Sequence, residues 1–155
     1  VEGKIHHIGL SFHDKAELLD EILTAHPELE YVQIQLNYLD WNDPAVESRL
    51  CYEVAVKHHK PVIVMEPVKG GSLIQIPATA KALFEKAHSD LSTASWAIRF
   101  AASPSHVMMV LSGMNDEQQV ADNISYMKDF YPLDEKEQHV VEQAVKIIRA
   151  SEIIQ

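Results

Sequence analysis

The sequence predicts an α/β fold in which short parallel strands alternate with amphipathic helices. Three observations predict it. The order of β-rich run, turn and amphipathic stretch occurs four times along the chain. The third run, Val62-Ile63-Val64-Met65-Glu66, is almost wholly apolar, the mark of a strand covered on both faces. No low-complexity tract or linker interrupts the 155 residues, so residues 1–155 read as one domain. Strands alternating with helices pair in parallel through right-handed crossovers.

The first strand is expected over residues 5–11, in Ile5-His6-His7-Ile8-Gly9-Leu10-Ser11. Asp14 then caps a helix, Glu17 completes a capping box, and Leu18, Leu19, Ile22 and Leu23 give it an apolar stripe. Residues 31–37 alternate apolar and polar with a period of two, and Asp43 with Pro44 reads as the start of a second helix carrying Val46, Leu50, Val54 and Ala55. The third strand spans 62–66 and is ended by Pro67 and Gly70-Gly71, after which a longer connection leads to Ser92. Ser92 opens a helix with Trp96, Ala97 and Phe100. Residues 107–112 form the fourth strand, and Asn115 or Asp116 caps a helix with Val120, Ala121, Ile124 and Met127 on one side. Asp134 with Glu137 starts a last helix reaching about Ala150, with Glu135, Glu137 and Glu142 on a solvated face.

Composition excludes several classes of function. A net charge of −10 argues against nucleic acid or anionic lipid as partner. No window approaches ~18 consecutive apolar residues, so no membrane span is expected, and Val1-Glu2-Gly3-Lys4 lacks the apolar run of a secretory signal. Cys51 is the single cysteine, so no intrachain disulfide and no zinc spacing is present, and a cytoplasmic setting is expected. The adjacent histidines His6-His7 and His58-His59 would point to opposite faces of a strand, so no metal site is expected. A chain opening on Val1 is expected to be processed or part of something longer.

Four βα units fit two architectures: an open doubly wound sheet, or half of an eight-unit barrel, which needs about 250 residues when whole. Four stretches bear on the choice. Gly3-Lys4-Ile5-His6-His7-Ile8-Gly9-Leu10-Ser11, Gln33-Ile34-Gln35-Leu36-Asn37-Tyr38, Pro61 through Leu73, and Leu111 through Asn123 resemble, in order, strands five to eight of the aldo/keto reductase family, whose fifth strand reads G-K-I-R-x-I-G-V-S. Met65-Glu66-Pro67-Val68-Lys69-Gly70-Gly71 and Leu111-Ser112-Gly113-Met114 look most like a bacterial branch that ends in a cysteine-rich iron–sulfur segment, absent here up to Gln155. The resemblance implies the C-terminal half of a TIM (β/α)8 barrel plus a C-terminal helix.

It also implies an NAD(P)H-dependent oxidoreductase that reduces a small carbonyl substrate by hydride transfer. The family's catalytic aspartate, tyrosine, lysine and histidine come from strands of the other half, so no residue here carries over as catalytic and this chain alone is expected to be inactive. The cofactor would lie at the C-terminal strand ends. Ser11 and Gln35 stand where the family holds the carboxamide. Met65 takes the place of the ring stacked on the nicotinamide. Glu66, Pro67, Val68, Gly70 and Gly71 form the loop whose N–H groups would meet the pyrophosphate. Gly113, Met114, Asn115, Gln119 and Asn123 match the adenosine segment. Many members carry lysine and arginine where Gly113 and Gln119 stand here, so the implied cofactor is NADPH or NADH.

Position alone makes His13 and Glu66 candidates for proton transfer, and Tyr38 and Trp41 candidates for a substrate pocket. Two other classes remain: a non-catalytic nicotinamide-binding or regulatory subunit, and an independent α/β domain of flavodoxin type. Ser11-Phe12-His13-Asp14 lacks the phosphate-loop character that the last would need. A half-barrel would leave two sheet edges and an inner face with Leu10, Ile34, Leu36 and Val64 open, to be closed by its own N-terminal half-barrel or by a homo-oligomer.

Overall fold

In the computed structural model, which describes residues 3–152, four parallel strands lie side by side in the order in which they occur along the chain. Val1, Glu2 and residues 153–155, and with them both chain ends considered above, lie outside the described residues. Strand β1 is Gly9–Ser11, β2 Tyr31–Gln35, β3 Val62–Met65 and β4 Val107–Val110. Helices α1 (Ala16–Ala25), α2 (Ser48–Lys57), α3 (Ala78–Ala87), α4 (Thr93–Ala102), α5 (Glu117–Met127) and α6 (Glu135–Glu152) connect and follow them. The sequential order excludes the doubly wound alternative, in which β1 would lie inside the sheet. The topology is that of half a (β/α)8 barrel.

Helices α1, α2 and α4 pack on one face of this sheet. Val32, Ile34, Leu36, Val62 and Val64 are buried with Leu19 and Leu23 of α1, Cys51 and Ala55 of α2, and Ala101 of α4. The other face carries Gly9, Ser11, Tyr31, Gln33, Gln35, Ile63, Met65 and Met109, all half-buried or exposed. Two expectations change here. Leu10, Ile34, Leu36 and Val64 do not line the open inner face; they are the side that meets the helices, because that side needs aliphatic packing. And β3 is fully buried on one face only, with Ile63 and Met65 half-exposed on the other.

Strand β1 is shorter than residues 5–11, since only β2 pairs with it and β2 begins at Tyr31. Gly9 is required there: a Cβ would sit 2.3 Å from Cε2 of Tyr31, whose ring lies against the backbone. At the opposite edge, a bulge between Val62 and Ile63 shifts the register so that Ile63 faces Met109. Met108 is left as the extra, exposed residue.

Two expected helix starts are replaced by longer-range contacts. The Asp14–Glu17 capping box does not form; the Ala16 N–H instead donates to Oε2 of Glu47 at 3.0 Å, and the N-cap is Lys15. Asp43 and Pro44 lie in a turn ahead of α2, where Asp43 Oδ1 accepts from the Ala45 N–H. Helix α2 begins only after Glu47, at φ 55°, with Ser48 Oγ donating to the Gln35 carbonyl at 2.7 Å. Three starts stand as read: Ser92 accepts from the Ser95 N–H, Asp116 from the Gln119 N–H, and Asp134 and Glu137 form a reciprocal capping box.

The connection after β3 is not structureless. It holds a short 3-10 turn at Lys69–Gly71 and helix α3, which packs with α6 around a second core of Tyr38, Leu39, Leu73, Phe84, Trp96, Leu133, Val141 and Ile148. Phe84 stacks on Trp96 with centroids 4.6 Å apart. Glu137 belongs to this core rather than to a solvated face. Its carboxylate pairs with Arg99 at 2.7 Å and His88 at 3.2 Å, while Glu135 and Glu142 are exposed. Burial pushes the Glu137 carboxyl up, but the Arg99 guanidinium and the Asp134 N–H outweigh it and hold it below the ordinary range. Helix α5 departs in the other direction: Val120, Ala121 and Ile124 are exposed, and Tyr126 is its one buried residue.

Replacing Glu137 by alanine would strand the Arg99 charge in a nearly closed site. The expected loss is about 3 kcal/mol, read as a lower urea midpoint. Glu135→Ala, on the exposed side of the same turn, should change it by less than about 0.5 kcal/mol.

Candidate functional site

The C-terminal ends of the strands carry two linked clusters on and beside the uncovered sheet face. The first is set by strand register. Ser11 pairs with Gln33 across β1 and β2, and Gln35 with Met65 across β2 and β3. Gln33 Nε2 reaches Ser11 Oγ at 3.3 Å and Met65 Sδ at 3.4 Å, joining three strands in one polar patch. Ser11 Oγ also meets His13 Nε2 at 3.2 Å. Both glutamine Oε1 atoms are without a hydrogen-bond partner among the described residues. The patch therefore offers two amide acceptors and a hydroxyl, beside a thioether that can lie against a flat ring.

Gln35 is not in contact with Ser11. Its Nε2 donates to Asp40 Oδ2 at 2.6 Å, and this opens the second cluster. Asp40 is 2% exposed and lies in the loop after β2. Asn37 Nδ2 donates to Asp40 Oδ2 at 2.7 Å, and Lys69 Nζ to Oδ1 at 2.7 Å. Asn37 also donates to the Glu66 carbonyl at 3.0 Å and accepts from the N–H groups of Leu39 and Asp40. Burial pushes the Asp40 carboxyl up, yet Lys69, Gln35 and Asn37 together hold it below the ordinary carboxylate range.

The loop held by this cluster has an unusual backbone. Glu66 and Lys69 take positive φ, at 57° and 49°, and Gly70 and Gly71 follow at 59° and 90°. Two left-handed non-glycine residues in so short a segment require outside support. The Glu66 carbonyl bond to Asn37 and the Lys69 bond to Asp40 provide it. The Gly71 N–H is committed to the Val68 carbonyl at 3.0 Å. The Gly70 N–H has no acceptor among the described residues. Pro67 is buried, Val68 packs against the second core, and the Glu66 side chain is exposed.

The segment after β4 is more open. Gly113 and Met114 are exposed, and Asn115 and Gln119 bond each other twice, at 3.1 and 2.9 Å. Asn123 Nδ2 donates to Ser112 Oγ at 2.9 Å and its Oδ1 accepts from the Tyr126 hydroxyl. Among the described residues, no hydrogen bond joins these residues to the patch around Gln33.

The remaining sequence candidates fall elsewhere. Tyr38 and Trp41 are ring contacts of Phe100, at 6.1 and 5.9 Å, and line a cleft of about 610 Å³ between helices, not the uncovered sheet face. His7 pairs with Glu30 and His58 with Asp20, and no group of three metal-ligating side chains occurs among the described residues. Cys51 is buried, and burial pushes its thiol up to about 11. Sequence reading missed Gln33 and Asp40. The period of two places Gln33 beside Gln35 on one face, but only the register against Ser11 shows which glutamine joins it. Asp40 carries no local signal.

A sequence model of the Aldo/keto reductase family matches residues 1–146. Among solved structures, the chain is similar to aldo-keto reductase AKR11C1 from Bacillus halodurans in its apo form, at 21% identity and a TM-score of 0.71, covering 92% of this chain and 52% of that one. It is also similar to an aldo-keto reductase from Klebsiella pneumoniae in complex with NADPH, at 14% identity and a TM-score of 0.64, covering 92% and 49%. The chain thus spans about half the length of the solved reductases it matches. The curated proteins hold no significant match. No helix among the described residues is long and apolar enough to cross a membrane.

The depressed Asp40 carboxyl makes an acid prediction. Its folded pKa lies below its unfolded value of about 3.9, so its contribution is present above that pH and is lost as pH falls through the folded pKa. Urea midpoints measured from pH 7 to pH 2.5 should show Asp40→Asn less stable at pH 7, with the gap to the parent closing on the acid side.

Proposed function

The chain belongs to the aldo/keto reductase family, and from that premise we propose that it forms the cofactor-binding half of an NAD(P)H-dependent enzyme that reduces a small carbonyl substrate by hydride transfer. One observation carries the reading: the uncovered face at the C-terminal strand ends gathers Ser11, Gln33 and Met65 within 3.4 Å links. A nicotinamide carboxamide has an NH2 donor and a carbonyl acceptor. The free Oε1 atoms of Gln33 and Gln35 can take the first, and the Ser11 hydroxyl can supply the second. Met65 would lie against the ring.

The loop with Glu66, Pro67, Val68, Gly70 and Gly71 would hold the diphosphate, with Gly70 offering an unused N–H and Lys69 an ammonium. Gly113, Met114, Asn115, Gln119 and Asn123 would hold the adenosine. No lysine or arginine stands at 113 or 119, so either NADPH or NADH is accommodated. When bound, the nicotinamide supplies the hydride; this chain's residues orient it. The proton donor and the groups that tune it would come from family elements outside these 155 residues, so none of the residues here is assigned a catalytic role. Residues 1–155 act as one domain in this reading.

The site fits a closed barrel better than an isolated sheet. Among the described residues, β1 and β4 each pair on one side only, and Met109 of β4 and Val120 and Ile124 of α5 are exposed. The complementary N-terminal half-barrel, or a second copy of this chain, would cover them.

Titrating the 155-residue chain with NADPH and NADH, followed by calorimetry, tests the proposal. Binding of at least one is expected, and Gln33→Leu should weaken it about tenfold, the worth of one or two hydrogen bonds. The chain alone should turn over no carbonyl substrate above a buffer control. Absence of binding to both would refute the reading; binding without turnover even when joined to its N-terminal half would favour the non-catalytic subunit. Light scattering should find a dimer or a hetero-complex rather than a 17.5 kDa monomer.

A further inference from the structure

We propose that Asp40 is the positioning residue of the diphosphate loop, fixing residues 66–71 through Lys69 and, by way of Asn37, through Glu66. The proposal rests on the nicotinamide reading above and goes beyond it, because Asp40 meets the uncovered sheet face only through Gln35 and otherwise holds the loop after β3.

Three observations carry it. The Asp40 side chain is 3% exposed and accepts from three side chains, two from the end of β2 and one from the loop after β3. A carboxylate so enclosed holds its partners in one arrangement, since releasing any of them leaves a buried charge short of a donor. Next, the loop it holds contains two left-handed non-glycine residues, Glu66 and Lys69, a backbone that persists only where neighbours determine it. Asn37 connects the two effects: one Nδ2 donates both to Asp40 Oδ2 and to the Glu66 carbonyl. Finally, Lys69 is 36% exposed, and its ammonium has three N–H donors. Asp40 takes one and leaves others for an anion next to the unused N–H of Gly70.

Charge and position make opposite predictions here. If Asp40 acted only as a negative charge near an anionic diphosphate, removing it would tighten binding. If it positions Lys69 and the loop, removing it weakens binding, and weakens it only while Lys69 is present.

The experiment is a double-mutant cycle on the full 155-residue chain with Asp40→Asn, Lys69→Met and the pair combined, using NADPH as the probe. Amide hydrogen exchange over residues 66–73 and the melting midpoint are read in parallel. Lys69→Met leaves the buried Asp40 carboxylate one donor short, so it should lower the melting midpoint with the chain still folded. It should also speed exchange at Lys69, Gly71 and Ser72 more than in α1, and weaken NADPH about tenfold, the worth of one charge-assisted hydrogen bond. Asp40→Asn should weaken NADPH by a similar factor, and the double variant should be no weaker than about twofold below either single one. Tighter NADPH binding by Asp40→Asn, additive losses, or unchanged exchange in Lys69→Met would each overturn the proposal. A parent chain that binds neither nicotinamide would instead remove the cofactor reading, while exchange in Lys69→Met would still decide whether Asp40 and Lys69 hold the loop.

Discussion

A parallel strand presents two faces, and in this chain helices cover only one of them. Everything else in the structure follows from that asymmetry. The covered face takes Val32, Ile34, Leu36, Val62 and Val64 and becomes the main core. The uncovered face keeps Ser11, Gln33 and Gln35, side chains that would be costly to bury among the aliphatic residues of α1 and α2. Because parallel strands need crossovers, each turn at the C-terminal ends lies on the same side of the sheet. The loops after β1, β2 and β3 therefore meet there, and the polar patch and the Asp40 cluster form where they meet.

The strands were legible in the sequence and their covered faces were not. Alternation in Tyr31-Val32-Gln33-Ile34-Gln35-Leu36 separates two faces unambiguously. It says nothing about which of them meets the helices, and the habit of placing aliphatic residues in a barrel's interior gives the reverse of what is found. Helix starts divide in the same way. Asp134–Glu137 caps α6 because both partners are local and no distant group competes. Asp14–Glu17 has the same spacing, but the Asp14 carboxylate accepts from the Lys15 N–H instead, and the helix starts one residue later. Glu47, 31 residues from Ala16, takes the Ala16 N–H of its first turn. Helix α3 was lost inside a connection because Ala78–Ala87 has a weak apolar stripe, with Ala80 and Phe84 its buried residues.

The candidate site was legible residue by residue but not as an arrangement. Ser11, Met65 and the two glycines are visible in their stretches because the family's block order marks them. What joins them is register: Ser11 lies opposite Gln33, so Gln33 bridges to Met65 while Gln35 turns to Asp40. Asp40 itself sits between Leu39 and Trp41 in a segment with no motif, and an acidic loop residue is exposed far more often than buried. Only the convergence of Gln35, Asn37 and Lys69 makes it 2% exposed.

Two enclosed ion pairs then divide the labour of holding the loops. Glu137 with Arg99 ties α6 to α4 in the second core, away from the uncovered sheet face. Asp40 with Lys69 ties the end of β2 to the loop after β3, beside that face. Both carboxylates are held below the ordinary range by their partners, so both stay charged at neutral pH. The first pair is nearly enclosed on both sides and reads as scaffold. The second leaves Lys69 half-exposed next to a strained turn, and that exposure separates a brace from a brace that also presents a charge. A hydrophobic replacement of either pair could preserve the fold, as buried pairs often contribute little net stability. Only at Asp40 would it also remove the means by which a left-handed loop is kept in the one shape that leaves the Gly70 N–H unpaired.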